Sequence, residues 1–119
     1  MQKSILITGC SSGIGLDCAE TLHAMGWKVF ASCRKQEDCD RLEAMGLTAP
    51  RLDHADAASI RDTIAQVTQA TGGTLDAVFN NGAFAVPGAV EDLPTDALRA
   101  IYETNVFGYH EVIRQVLPI

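Results

Sequence analysis

Four times in 119 residues a short apolar run gives way to a stretch of helical periodicity, and nothing else in the chain restricts its fold as much. Ile5-Leu6-Ile7, within Ser4–Thr8, reads as a buried strand that stops at Gly9. From Gly13 the period changes. Ile14, Cys18, Leu22 and Met25 fall on one helical stripe, and Gly26 stands where a helix ends. Val29–Ser32 is a second strand, followed by a short helix over Gln36–Met45 that Gly46 closes. Thr48–Leu52 is a third, weaker strand whose Pro50 suits the edge of a sheet. Asp56 is placed to cap a third helix with Ile60, Ile64 and Val67 on one face, broken by Gly72-Gly73. Leu75–Phe79 is a fourth strand. Pro94–Leu117 then predicts a long helix with Leu98, Ile101, Tyr102, Val112, Ile113 and Val116 on its apolar face.

Strands alternating with helices pair in parallel through right-handed crossovers, which predicts an open α/β sheet covered on both faces. The length allows one domain, and an apolar fraction of 47% can fill its core. The loop from Gly82 to Pro94 follows a strand's carboxyl end, where open α/β sheets place their ligands. No apolar run approaches the roughly 18 residues of a transmembrane helix. The amino terminus runs straight into a strand without a signal-peptide cleavage site, so a cytoplasmic protein without a membrane partner is expected. A net charge of -6 with nine scattered basic residues argues against nucleic acid as a partner. Cys10, Cys18, Cys33 and Cys39 form no C-x-x-C pair and have no zinc-type spacing with His23, His54 or His110. They read as small buried thiols of a reducing compartment, and no metal site is expected.

Chemistry enters at Thr8-Gly9-Cys10-Ser11-Ser12-Gly13-Ile14-Gly15, between the first strand and the first helix. Glycines permit a tight turn and a close ligand approach, and a helix amino terminus offers unpaired N–H groups to a phosphate. A tight strand-to-helix turn with no ligand is the alternative. Beyond the loop, Asp53-His54 stands after the third strand, Asn80-Asn81-Gly82-Ala83 after the fourth, and Asn105 lies within the last helix. Asn105 falls on that helix's apolar face, four residues after Ile101, where an unpaired amide is costly. Read from the residues alone, it is either a structural amide that bonds a neighbouring loop or a polar group kept for a function.

The glycine loop resembles the T-G-x-x-x-G-x-G signature of the short-chain dehydrogenase/reductase family, and the three later features follow in register. The resemblance covers essentially the whole chain. It implies a Rossmann-type doubly wound parallel sheet, incomplete at about four strand–helix units, with residues 1–119 as the amino-terminal, dinucleotide-binding portion. It also implies cofactor contacts from Gly9, Ser11, Ser12, Gly13, Ile14, Gly15, Asp53, His54, Asn81, Gly82 and Ala83. Asp53 would hold the adenine amino group. Gly82-Ala83 reverses the family's usual Ala-Gly, which makes the backbone contact at Gly82 less secure. In the family the equivalent of Asn105 holds a water in a proton relay, which makes Asn105 a catalytic residue by resemblance. Gly108 permits close packing or a local distortion of the same helix.

The second strand ends Ser32-Cys33-Arg34-Lys35, with no carboxylate before Glu37 where an NAD-binding chain carries an acid. Arg34 suits a 2′-phosphate, with Ser11 adding a hydroxyl, so the expected cofactor is NADP(H) rather than NAD(H). A solvated Arg34-Lys35 pair leading into a helix is the alternative. The family's Y-x-x-x-K pair is absent: Tyr102 precedes Val106 by four, Tyr109 precedes Ile113, and the last lysine is Lys35. The chain is therefore expected to be a fragment without the catalytic half, leaving the far edge of its fourth strand unpaired. Three functional readings stay open. They are an NADP(H)-dependent oxidoreductase of carbonyl or alcohol substrates, a non-catalytic dinucleotide binder, and one half of a complex completed by another chain. The resemblance also implies a homo-oligomer through the face of the last helix.

Overall fold

The computed structural model describes residues 1–119. Its centre is β1 (Ser4–Ile7), every residue of which is buried. Ile5 and Ile7 point to one face of the sheet and Leu6 to the other, each into a separate core. That is why the run is apolar without alternation: a parallel strand covered on both faces has no polar side. β2 (Lys28–Ala31) pairs with β1 on one side and β3 (Ala77–Phe79) on the other, both in parallel, in the order β2-β1-β3. Ser4 stands opposite Lys28, and Ile5 stands between Val29 and Ala77. β3 begins later than the expected Leu75 because the Asp76 carboxylate takes over the start of the ladder. It accepts the Ser4 amide at 2.8 Å and the Ser4 hydroxyl at 3.1 Å.

The expected third strand is corrected. Thr48–Leu52 makes only isolated parallel bridges, Thr48 with Phe30 of β2 and Arg51 with Cys33 just beyond it. Pro50 between the two bridges has no N–H to give a ladder. The edge position is as expected, but the sheet has three strands.

The helices cover the two faces. α1 (Gly13–Ala24) and α2 (Gln36–Ala44) enclose one core, in which Ile5, Ile7, Ala19, Val29, Ala31, Cys39 and Leu42 meet. α3 (Ala57–Thr71) closes the other, where Leu6, Phe30, Ile60, Ile64 and Val67 pack with Val112. The Asp56 carboxylate caps α3 as expected, accepting the Ala58 amide at 3.0 Å and the Ser59 amide at 3.4 Å. The stripe expected on α1 is met in part. Cys18 and Leu22 pack half-buried against the core with Leu16, and Gly15 and Ala19 are fully buried, whereas Ile14 and Met25 are 73% and 69% exposed. Small side chains at Gly15 and Ala19 bring this helix close to the sheet and turn Ile14 outward.

The long last helix forms in three parts: α4 (Thr95–Tyr102), a π-helical stretch over Glu103–Gly108, and α5 (Tyr109–Val116). Of its expected apolar face only Val112 is buried, with Ile101 and Val116 half-buried. Leu98, Tyr102 and Ile113 are exposed, and the outer edge of β3 pairs with nothing. The burial pattern makes a clear prediction. Ile60→Ala should cost about 2–5 kcal/mol by urea denaturation, while Ile14→Ala should stay within about 0.5 kcal/mol. Equal costs at the two positions would contradict the orientation of α1.

Candidate functional site

Loops after all three strands converge at the carboxyl edge of the sheet, and hydroxyl and amide groups staple them together. The Thr8 Oγ1 accepts the backbone N–H of Asn81 at 3.0 Å and that of Gly82 at 2.9 Å. In return the Asn81 side-chain amide donates to the carbonyls of Thr8 and Gly9, each at 3.2 Å. The glycines make this junction sterically possible. Gly9 has φ +69°, and a Cβ there would lie 2.5 Å from the Gly82 Cα. At Gly15 a Cβ would lie 2.5 Å from the Gly9 carbonyl oxygen and 2.7 Å from Asn81 Nδ2. Gly13, at φ +62°, has open space around it and needs glycine for its backbone angle alone.

The junction floors a polar cleft of about 400 Å³. Gly9, Ser11 and Ser12 line it from the glycine loop, Arg34, Lys35 and Asp38 from beyond β2, and Leu52, Asp53 and His54 from the bridging segment. Asn81, Gly82, Ala83, Phe84 and Thr104 complete it. Most expected cofactor residues therefore meet in one cavity. Gly13, Ile14 and Gly15 begin α1 beside it without lining it, and Asn105 stands one residue behind the wall. The residues missed by sequence reasoning are Thr8 as acceptor, Asp38, Leu52 and Thr104, while Phe84 lies in the loop already expected to face a ligand. Of the missed residues only Thr8 and Thr104, inside motifs already singled out, had a local signal.

The start of α1 suits an anion. Its N-cap, Ser12, makes no side-chain bond to the helix, in contrast to Asp56 at the start of α3, and its first turn holds no acid. Amides and dipole there are left for a ligand, and glycines keep side chains out of the way. Arg34 is exposed on the cleft and forms no ion pair. Asp53 closes a turn, its carboxylate accepting the Ala55 amide at 2.9 Å, while its own N–H donates to Ser59 Oγ at 2.9 Å.

The far wall depends on His54, which is only 7% exposed. Its Nε2 lies 3.3 Å from Asn80 Oδ1, and its ring centroid lies 5.0 Å from that of Tyr109, the two rings tilted by 50°. Burial pushes its pKa down against the opposing pull of Asn80 and Asp53, so the ring is neutral at pH 7 and Nε2–H donates to Asn80. Gly108 is where the last helix crosses this segment; a Cβ there would lie 2.5 Å from the His54 Cβ and strike its carbonyl oxygen. Asn105, in the π-helical stretch, holds Phe84 at both ends of the peptide unit. Its Nδ2 donates to the Phe84 carbonyl at 2.8 Å, and its Oδ1 accepts the Phe84 N–H at 3.2 Å. The structural amide, one of the two readings from the residues alone, is thus present. Near the loop, burial pushes the Cys10 and Cys33 thiols up to about 12, so both stay protonated packing groups.

A family match decides what this arrangement belongs to: the short chain dehydrogenase family matches residues 3–119. The chain belongs to that family. It is 37% identical over 118 residues to the uncharacterized oxidoreductase YbbO of Escherichia coli K12, covering 99% of this chain and 44% of that protein. Among solved structures, a short-chain dehydrogenase from Streptomyces avermitilis superposes with a TM-score of 0.89 at 34% identity, over 98% of this chain and 44% of that one. Actinorhodin polyketide ketoreductase with NADPH superposes with a TM-score of 0.85 at 30% identity, over 98% and 46%. The chain thus spans less than half the length of these relatives.

Two predictions follow from the wall. Alanine for a helical glycine normally gains about 1 kcal/mol, but Gly108→Ala should destabilise by roughly 1–3 kcal/mol, because the new methyl meets backbone rather than a movable side chain. Thermal unfolding of the variant checks the sign. His54 has its folded pKa lowered, so its contribution is intact above the unfolded value near 6.5 and is lost as pH falls through the lower folded value. Stability should therefore drop below about pH 6.5, with a shallower drop in His54→Phe; identical slopes would remove His54 from the effect.

Proposed function

We propose that these residues form the NADP(H)-binding half of an oxidoreductase that moves hydride between the cofactor and a carbonyl or alcohol substrate. The observation that carries this reading is Arg34, an unpaired guanidinium on the cleft across from Ser11 and the uncapped start of α1. The amides of Ser12, Gly13 and Ile14 would hold the cofactor's pyrophosphate, and Arg34 with Ser11 would hold the 2′-phosphate. Asp53 and His54 would border the adenine, and Asn81, Gly82 and Ala83 the ribose. The NADPH in the actinorhodin polyketide ketoreductase structure supports the choice of nicotinamide dinucleotide. Bound there, the cofactor supplies the hydride.

What the chain's own residues contribute is position. Thr8 and Asn81 hold the phosphate loop against the loop after β3, and Asn105 fixes Phe84 beside the cleft. An amide has two donor hydrogens and two acceptor lone pairs, of which Phe84 uses one each. The remaining pair is what Asn105 would offer to a water in the relay implied by the family resemblance. The acid–base pair of the family, a tyrosine four residues before a lysine, is not among these residues.

Titration with NADPH and NADH tests the reading. NADPH should bind more tightly, and Arg34→Ala should weaken it about 10- to 100-fold, as loss of charge-assisted hydrogen bonds does, with NADH little changed. Equal binding of the two cofactors, indifferent to Arg34→Ala, would overturn the assignment.

A further inference from the structure

The cleft that receives Arg34 also receives a carboxylate, and a residue outside the cleft controls it. Asp38 lines the cavity together with Ser11, Arg34 and Lys35. A free acid at this end would oppose a 2′-phosphate by like charge, and would instead accept the hydrogen bond of an unphosphorylated ribose hydroxyl. Asp38 is not free. Arg41, one turn further along α2, brings its Nη2 to 3.3 Å from Asp38 Oδ1. The same nitrogen donates to the Ser11 carbonyl at 2.7 Å, a contact that spans 30 residues of sequence. Arg41 does not itself line the cavity. Its side chain is about half exposed, at 48%, so as a surface pair it adds little to stability. Its geometry nevertheless acts on two groups that face the ligand.

We propose that Arg41 is a positioning residue that sets the preference of this cleft for a phosphorylated ribose. One guanidinium offsets the charge of Asp38 and anchors the Ser11 peptide, on the cleft that Ser11 and Arg34 line together. The proposal rests on the NADP(H) reading above and deepens it, because it explains how a cleft containing an acid favours the more negative cofactor. The planar guanidinium matters: the two N–H bonds of one terminal nitrogen have fixed directions, one for the carbonyl and one for the carboxylate, which a freely rotating ammonium does not hold.

The test is fluorescence titration of NADPH and of NADH against the full protein that carries these residues, in five forms: unaltered, Arg41→Ala, Arg41→Lys, Arg41→Ala with Asp38→Asn, and Arg34→Ala. Arg41→Ala should weaken NADPH about fivefold to twentyfold and leave NADH unchanged or slightly tighter, since the exposed Asp38 then repels one and accommodates the other. Adding Asp38→Asn should restore most of the NADPH affinity, and Arg41→Lys should fall between. NADH affinity doubles as the check that each variant is folded. If Arg41→Ala keeps the NADPH-to-NADH ratio while Arg34→Ala loses it, Arg41 has no such role and the NADP(H) reading stands. Equal weakening of both cofactors by Arg41→Ala also overturns the proposal, reducing Arg41 to a structural tie. A ratio indifferent to Arg34→Ala as well removes the NADP(H) reading itself, and the role of Arg41 with it.

Discussion

The Thr8 hydroxyl, accepting two consecutive amides from the loop after β3, is the contact on which the rest of the site depends. It sits at the end of the fully buried central strand, so its position is set by the cores on both faces of the sheet. Through it the glycine loop and the Asn81-Gly82 turn are brought to backbone contact, close enough that neither Gly9 nor Gly82 has ordinary room for a Cβ. The cleft floor is therefore made of backbone, and its polar groups are held by hydrogen bonds that are themselves half-buried. Such a floor loses little freedom when a ligand arrives, which is how a small cavity gains affinity without a large apolar surface.

Electrostatics divides the two ends of this cleft. α3 satisfies its own amino terminus with Asp56, whereas α1 has no side-chain cap. At the outer end the cleft holds Arg34, Lys35 and Asp38, and Asp38 pairs with Arg41 outside it. For a chain with net charge -6, such a local excess of cations has to be built by placing charges rather than inherited from composition.

The last helix forms the opposite wall and departs from regular α geometry where it does so. Its π-helical stretch carries Asn105, which holds Phe84, and ends at Gly108, which lets His54 approach. A helix that wraps a wall in this way turns part of its apolar side outward. Leu98, Tyr102 and Ile113 are exposed, and the outer edge of β3 is unpaired. The same geometry explains why helical periodicity misjudged which of these residues would be buried.

The sequence by itself determined the order of elements, the parallel sheet, the glycine loop and the family, because each rests on local patterns: apolar runs, caps and glycines whose backbone angles other residues avoid. Pro50 foretold an edge segment but not that it would shrink to isolated bridges, and bulk misled about Ile14 of α1, which is exposed where Gly15 and Ala19 are buried. Tertiary structure alone decided that Asp38 shares a cavity with Arg34 and that Arg41 holds both Asp38 and the Ser11 carbonyl. It alone placed Gly108 on His54 and seated Asn105 on Phe84. These contacts join residues separated by about twenty or more positions, apart from the Asp38 pair. Their existence depends on how helices lie against the sheet, which no local pattern encodes. That the glycine loop suits a phosphate could be read from its residues; that Arg41 bridges Asp38 and the Ser11 carbonyl is defined only by the folded chain.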